Sequence, residues 1–174
     1  MLDSDTHLSG TDVPGSIADG VSRRLAGFPD RERAICEAVA IVGRSCSFEL
    51  VQRLVDLSES DVVAGLRRLQ DLKFIGEGPP DEFWLRSPMM AAVAAATTLS
   101  RQRRRLHTTV LEVLEATDHP DPASVLAHAA AIGDAHRAVP AARAAADALL
   151  PGPQDDGVAQ LVEAVLAVAA VTER

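Results

Sequence analysis

The sequence is poor in the residues and motifs that most enzymes and nucleic-acid readers use. Its 174 residues include a single lysine, Lys73, no tyrosine, and aromatic side chains at only 3% of positions. It has no glycine-rich phosphate loop, dinucleotide fingerprint, zinc-protease motif or nucleophile elbow. Lys73 lies at a predicted helix end, where no glycine-rich loop could hold a phosphate beside it. We therefore expect no catalytic residues, no cofactor and no enzymatic activity.

Residues that bind metals or form disulfides are sparse as well. The two cysteines are Cys36, on the apolar side of a helical pattern, and Cys46, near a loop. Two small buried thiols are a better interpretation than a disulfide or a metal pair. The histidines are scattered, so we expect solvated or hydrogen-bonded surface side chains and no metal site. Those considered as ligands are His107, His119, His128 and His136.

Long apolar runs and an excess of positive charge are also missing. The longest apolar runs, 89–96 and 164–171, have eight residues each, against the roughly 20 that a membrane-spanning helix needs. The N-terminus lacks the basic and apolar parts of a secretory signal, so we expect a cytoplasmic protein without membrane contact. A formal net charge of −8 would repel a polyanion from the chain as a whole.

The first half of the chain has the pattern of a winged helix-turn-helix with one preceding helix. Residues 1–14 show no apolar period and are expected to form a flexible leader. From Ser16 to Leu72, apolar residues recur at helical spacing and predict four helices. Phe74-Ile75 and Phe83-Trp84-Leu85 flank a Gly/Pro/Asp turn, which predicts a hairpin. Helices followed by a two-stranded wing define the domain that we assign to residues 15–87.

Helix boundaries in this half are marked by residues with known capping preferences. Gly27 and Gly43 are expected to end the first and second helices. Ser47 is expected to cap the third helix, and Ser58, with Asp61 three residues later, has the form of a capping box for the fourth.

Residues 88–174 have helical patterns throughout and predict a mainly α fold. The breaks are short enough for antiparallel helical hairpins. Small residues near the spacing of a tetratricopeptide unit occur at Gly133, Ala138, Ala145 and Pro151, which predicts a tetratricopeptide-like region. Pro140 is expected to kink its helix. The predicted helices are 88–97, 101–116, 122–132, 134–149 and 155–171.

An arginine cluster begins one of these helices and is a candidate interaction surface. Clustered guanidinium groups can bind phosphates or carboxylates. No aromatic residue is interleaved with them for base stacking, so the favoured interpretation is a solvated face that pairs with Asp and Glu of neighbouring helices, and an interface or anion-binding role is the alternative. The cluster consists of Arg101, Arg103, Arg104 and Arg105.

The predicted recognition helix of the winged helix is not typical of a DNA reader. A reader presents donors from its first turns to the major groove, whereas these turns read Ser58-Glu59-Ser60-Asp61. Cations follow only at the far end of the helix, at Arg67, Arg68 and Lys73. Packing is therefore the favoured use of this helix, and DNA binding through those three residues is the alternative.

Taken together, residues 14 to about 170 resemble the region after the nucleotide-binding core of bacterial STAND ATPases. These regulators include the large ATP-binding LuxR-type transcriptional activators. The resemblance implies a winged helix that packs on an ATPase core as one arm of a switch, followed by helical repeats that receive inducers or partner proteins. The landmarks are "VPGSIADGVSRRLAGFPDRERAICEAVAIVG", "LSESDVVAGLRRLQDLKFI", "FWLRSPMM", "SRQRRRLHTTVLEVLE" and "LAHAAAIGDAHRAVPAARAAADAL".

The chain departs from that family in two respects. Ser87-Pro88-Met89 stands where the family often has His-Pro-Leu, so we expect Ser87 to cap the following helix and not to sense a nucleotide. No phosphate-binding core precedes residue 14, and no DNA-reading domain follows residue 171. Two alternatives stay open: a piece of a longer regulator, or a short relative that keeps only the transmission arm.

The leading hypothesis is a non-enzymatic regulatory module that transmits or receives a signal by protein contact. Its partner would be another protein or the remainder of a larger regulator. The alternative hypothesis is a DNA-binding winged-helix transcription factor.

Overall fold

The computed structural model describes residues 15–149, and this part of the chain is mainly helical. It contains eight helices and one three-stranded antiparallel sheet. No helix in this range is long and apolar enough to cross a membrane. The helices are α1 Gly15–Ala26, α2 Asp30–Val42, α3 Phe48–Leu54, α4 Glu59–Asp71, α5 Pro88–Thr97, α6 Ser100–Glu115, α7 Pro122–Ile132 and α8 Ala135–Leu149; the strands are β1 Cys46–Ser47, β2 Ile75–Gly78 and β3 Glu82–Leu85.

Several helix ends follow the caps that the sequence marks. The backbone N–H of Leu50 donates to the Ser47 hydroxyl over 3.3 Å, and that of Asp61 donates to the Ser58 hydroxyl over 3.2 Å. Gly43 follows α2 with φ 78°, a left-handed conformation that L side chains rarely adopt. The capping predictions for α2, α3 and α4 are therefore confirmed. The predicted helix 155–171 lies outside the described residues.

The sheet contains one strand that the sequence pattern does not reveal. Strand β3 lies in the centre, between β1 and β2. Cys46 of β1 pairs with Phe83, and Ile75 of β2 pairs with Leu85. The predicted hairpin is confirmed, and β1 adds a third strand of only two residues. Two residues are too few to show the alternation by which a strand is recognised in sequence.

The core consists of two hydrophobic clusters. The larger joins α1–α5, the sheet and the start of α6, with Ile35, Leu69 and Phe74 fully buried. The smaller joins α6, α7 and α8 through Leu111 and Leu126, with small residues that include Ala138. Helix α5 packs on α1 and α2, so the chain of helical hairpins begins at α6. Helix α8 continues through Pro140.

A buried ionic network joins α2 to α4. The carboxylate of Glu32 is inaccessible to solvent and lies 2.8 Å from Nη2 of Arg31. The Nη1 atom of Arg31 lies 3.5 Å from Asp61 of α4, and Nε of Arg68 lies 4.0 Å from Glu32. Arg31 and Arg68 thus face the Glu32 carboxylate, and Asp61 faces the guanidinium of Arg31, so the network links α4 to α2.

Close packing of α4 against α2 also requires glycine at position 65. A Cβ at Gly65 would lie 2.5 Å from Cδ1 of Ile35 and 3.3 Å from Cγ of Arg31. Ile35 is fully buried, so its methyl group has no free space to enter. By contrast, a Cβ at Gly20, inside α1, would meet no atom within 4 Å.

We therefore expect Gly65→Ala and Gly20→Ala to have opposite effects on stability. Overpacking makes Gly65→Ala destabilising by about 1 to 2 kcal/mol despite the better helix propensity of alanine. Gly20→Ala gains only the propensity, about 0.5 to 1 kcal/mol. Urea unfolding followed by circular dichroism measures both free energies. Equal effects of the two substitutions would contradict the packing described here.

Candidate functional site

The arginine cluster lies on the first turns of α6. Leu106, Val110 and Leu111 form the buried stripe of this helix. Because a helix turns by about 100° per residue, this stripe leaves Arg101, Arg104 and Arg105 exposed, with Arg103 partly buried.

Two of these arginines hold the ends of other helices. Nη1 of Arg103 donates to the carbonyl oxygen of Ala95, in the last turn of α5, over 3.5 Å. Nη2 of Arg105 donates to the carbonyl oxygen of Leu54, the last residue of α3, over 3.3 Å. Such carbonyls lack an intrahelical partner and carry the negative end of the helix dipole. These arginines therefore connect α6 to α3 and α5.

The expectation that the cluster pairs with carboxylates of neighbouring helices is wrong within the described residues. No Asp or Glu between residues 15 and 149 forms an ion pair with Arg101, Arg103, Arg104 or Arg105. Arg103 and Arg105 donate instead to carbonyl groups at the C-terminal ends of α5 and α3, because the start of α6 abuts those ends. Arg101 and Arg104 remain as the exposed charged edge of the candidate interaction surface.

The three candidate DNA contacts on and after α4 do not form one surface. Arg67 is exposed and lines a groove on the outer side of α4. Arg68 turns towards α2, where its Nε lies 4.0 Å from Glu32. Lys73 follows the helix with φ 60° and is exposed. Among residues 15–149, Arg67 is thus the one cation that lines the outer groove.

The outer face of α4 carries a shallow, open depression lined by residues of α4 and its N-cap, and we call it the α4 groove. Glu59 lies in the first turn of the helix and Arg67 two turns later, so the charges stand at opposite ends. Small side chains occupy the space between them. The lining consists of Ser58, Glu59, Ser60, Val63, Ala64 and Arg67.

Ser87 does not act as the cap that the sequence predicts. It occupies the N-cap position of α5 with an extended backbone, φ −135° and ψ 132°, but its side chain makes no capping hydrogen bond. Pro88 at the first helical position has no N–H to satisfy and sets its φ in advance. Helix α5 therefore starts from its proline and not from the serine hydroxyl.

Two histidines that the sequence separates by 21 positions meet between α6 and α7. The Nδ1 atoms of His107 and His128 lie 2.8 Å apart, so one of the rings carries the shared proton. His128 is buried, with 5% of its surface exposed, which corrects the expectation of surface histidines. His107 directly follows the buried Leu106, and His128 directly precedes the buried Ala129, and this adjacency to buried residues was the signal available in the sequence.

Burial and neighbouring charges keep this histidine pair neutral. Desolvation, with smaller contributions from His107 and Arg44, lowers the pKa of His128 to about 4. Desolvation and the charge of Arg103 lower the pKa of His107. The pair can therefore keep its single hydrogen bond at neutral pH, whereas a second proton on the facing nitrogens would break it.

The part of the chain that the structure covers shows neither a cluster of metal ligands nor a reactive thiol. Between residues 15 and 149, no three or more His, Cys, Asp or Glu side chains are placed to hold a metal ion. Cys36 and Cys46 are free and buried, as predicted. Burial is the main reason why the pKa of each thiol is raised to about 12, so neither forms a reactive thiolate at neutral pH.

Comparisons of the chain with protein-family models, curated proteins and solved structures found no match. The side chains of the α4 groove, the arginine-rich start of α6 and the histidine pair therefore carry the functional inference.

We expect the histidine pair to make stability depend on pH. Unfolded His128 titrates near its ordinary pKa of about 6.5, and the folded group titrates near 4. Between these values the unfolded chain binds the proton and the folded chain does not. The contribution of neutral His128 to the free energy of unfolding is therefore complete above about pH 6.5, and it falls by about 2 to 3 kcal/mol as the pH is lowered to about 4.

Urea unfolding of the wild type and of His128→Asn at several pH values measures this contribution. Asparagine keeps a hydrogen-bonding group near the Nδ1 position but does not titrate, so carboxylate effects common to both proteins cancel. His119→Asn, at an exposed position, should keep the wild-type pH dependence. Identical pH dependence of the wild type and His128→Asn would contradict the assignment.

Proposed function

We propose that this chain is a non-enzymatic regulatory module that transmits or receives a signal by protein contact in the bacterial cytoplasm. Its first part, α2 to β3, would be a winged helix. The element order of helix, short strand, two helices and hairpin supports this, together with the sheet order β1-β3-β2. Helices α6 to α8 would begin a tetratricopeptide-like array.

The outer face of α4 is the observation that carries the proposal. In a winged helix this face meets the DNA. Here its first turn presents the carboxylate of Glu59 where a phosphate would lie, while Asp61 faces Arg31 of α2. Arg67 is the single guanidinium along the α4 groove. A surface with one charge of each sign and small residues between them suits a protein partner better than a polyanion.

The groove also indicates the chemistry of that partner. Ser60 and Ala64 are one helical turn apart, and small residues at this spacing let another helix approach closely. Complementary charges would place a basic side chain opposite Glu59 and an acidic one opposite Arg67. We therefore propose that the partner surface is a helix with a ridge of small side chains, a basic residue opposite Glu59 and an acidic residue opposite Arg67. This helix would belong to the remainder of a larger regulator or to a separate protein.

The helical hairpins supply the second part of the module. Ala138 and Ala145 are buried in α8, as expected for close contact with α7. Gly133 ends α7 with φ 73° and permits the tight turn between the two helices. Pro151, the last of the predicted small positions, lies outside the described residues. The resemblance to STAND regulators supports a role for such repeats in receiving an inducer or a partner.

We expect photo-cross-linking to capture a protein on the α4 groove. A benzophenone amino acid at the position of Ala64, in cells that naturally express the protein, should give one discrete adduct. The double charge reversal Glu59→Lys with Arg67→Glu should reduce the adduct yield about tenfold or more. Mass spectrometry of the adduct identifies the partner peptide, which should be helical with the opposite charge order.

Two controls make this cross-link decisive. The same cross-linker at Ala116, an exposed alanine after α6, should not give that adduct. Reversal of the exposed Glu112 on α6 should leave the yield unchanged. The same adduct from Ala116, or a yield insensitive to Glu59 and Arg67, would refute the groove as the contact surface.

DNA binding is the alternative, and we expect it to be absent. Fluorescence anisotropy of random-sequence and GC-rich duplexes at low salt should show no saturable change, because the net charge is −8 and α4 starts with carboxylates. The opposite result would be binding that weakens steeply with salt and is lost in Arg67→Gln or Lys73→Gln. It would establish the transcription factor in place of the interaction module.

A further inference from the structure

A second cavity lies where the corner between α5 and α6 meets α1 and α2. It is a half-open pocket of about 490 Å³, within the range of small-molecule sites. One wall is formed by Leu25 of α1 and Ala34 of α2, and the other by Thr97 and Leu99 at the corner. We call this cavity the corner pocket.

One buried carboxylate lines the corner pocket without a cation. Glu37 is only 9% exposed, and its Oε2 accepts a 2.7 Å hydrogen bond from Nε2 of Gln102. No Arg, Lys or His of the described residues forms an ion pair with it. Arg33, one helical turn before Glu37 on α2, opposes the effect of burial on the pKa of Glu37 through its charge and forms its ion pair with Asp30. The lining therefore holds two carboxylates and one guanidinium, so one negative charge is in excess.

Burial disfavours the charged form of Glu37. Burial raises the pKa of Glu37 against the opposing effects of Arg33 and Gln102. A buried carboxylate needs a partner cation or a proton. Arg33 offsets part of this effect, but no described cation lies within ion-pair distance of Glu37, and the pocket leaves space for one beside the carboxylate.

We propose that the corner pocket binds a small organic cation whose primary ammonium or guanidinium group is seated on Glu37. Its apolar part would contact Leu25, Ala34 and Leu99, and Gln102 would act as the positioning residue that orients the carboxylate. The bound cation would tie the α5–α6 corner to α1 and α2. This site goes beyond the protein contact proposed for α4, and it shares no residue with the α4 groove.

Nuclear magnetic resonance titration of the full chain with n-butylammonium chloride tests the site. The side-chain amide of Gln102 bonds directly to Glu37 and is the reporter. We expect a saturable shift of its signals with a Kd of about 1 to 10 mM, as small fragments show. n-Butanol, which has the same apolar part and no charge, should bind about tenfold more weakly or not at all. Sodium chloride at matched concentration controls for ionic strength.

Variants connect the binding to Glu37. Glu37→Gln keeps the shape of the side chain and should abolish the butylammonium shift, while Glu112→Gln should leave it unchanged. Leu99→Ala should weaken binding of both compounds.

Three results would overturn the proposal: no saturable shift up to about 100 mM, equal binding of butanol, or unchanged binding by Glu37→Gln. If Glu37→Gln fails to fold, the wild-type comparison of butylammonium with butanol still decides. Failure here would leave the cross-link at Ala64 unaffected, because the two sites lie on different surfaces.

Discussion

The position of α4 depends on one buried carboxylate. Glu32 is inaccessible to solvent, and Arg31 binds it while also reaching Asp61 across the helix interface. Burial alone would raise the pKa of Glu32, but the hydrogen bond from Arg31, with smaller contributions from its backbone and Arg68, brings it below the usual range. The network is imperfect, since Oε2 of Glu32 and Nε of Arg31 have no hydrogen-bond partner in the described part of the chain. Such a network contributes more to a unique arrangement than to stability.

The candidate contact surface follows from that arrangement. Gly65 brings the inner side of α4 against Ile35, and Arg68 turns inward to Glu32. The opposite side of the helix, with Glu59 and Arg67, then faces outward as the α4 groove. The corner pocket arises because α5 packs on α1 and α2 before α6 leaves in a new direction. A protein contact and a ligand contact can therefore act on the same core from two sides.

The sequence predicted the local features well because caps and apolar periods act over a few residues. Helix bounds agreed to within one or two residues, and Ser47, Ser58 and Gly43 cap as expected. Features that depend on distant partners were missed, such as the pairing of His107 with His128. Glu32 is instructive, since it stands three residues before Ile35 on the same buried stripe as Val39 and Val42. The sequence shows that a charged residue, Glu32, lies on an apolar stripe, but it does not show which residues of α4 lie opposite this charge.

Hydrogen exchange of Glu32→Gln tests most directly whether the Glu32 network holds α4 in place. The account predicts that amides of α4 exchange at least about tenfold faster than in the wild type, because the substitution leaves Arg31 without its buried partner. Amides of α7 and α8, which belong to the second cluster, should keep their protection. Unchanged protection of α4, or an equal loss of protection in α4 and in α7 and α8, would contradict the central role of Glu32.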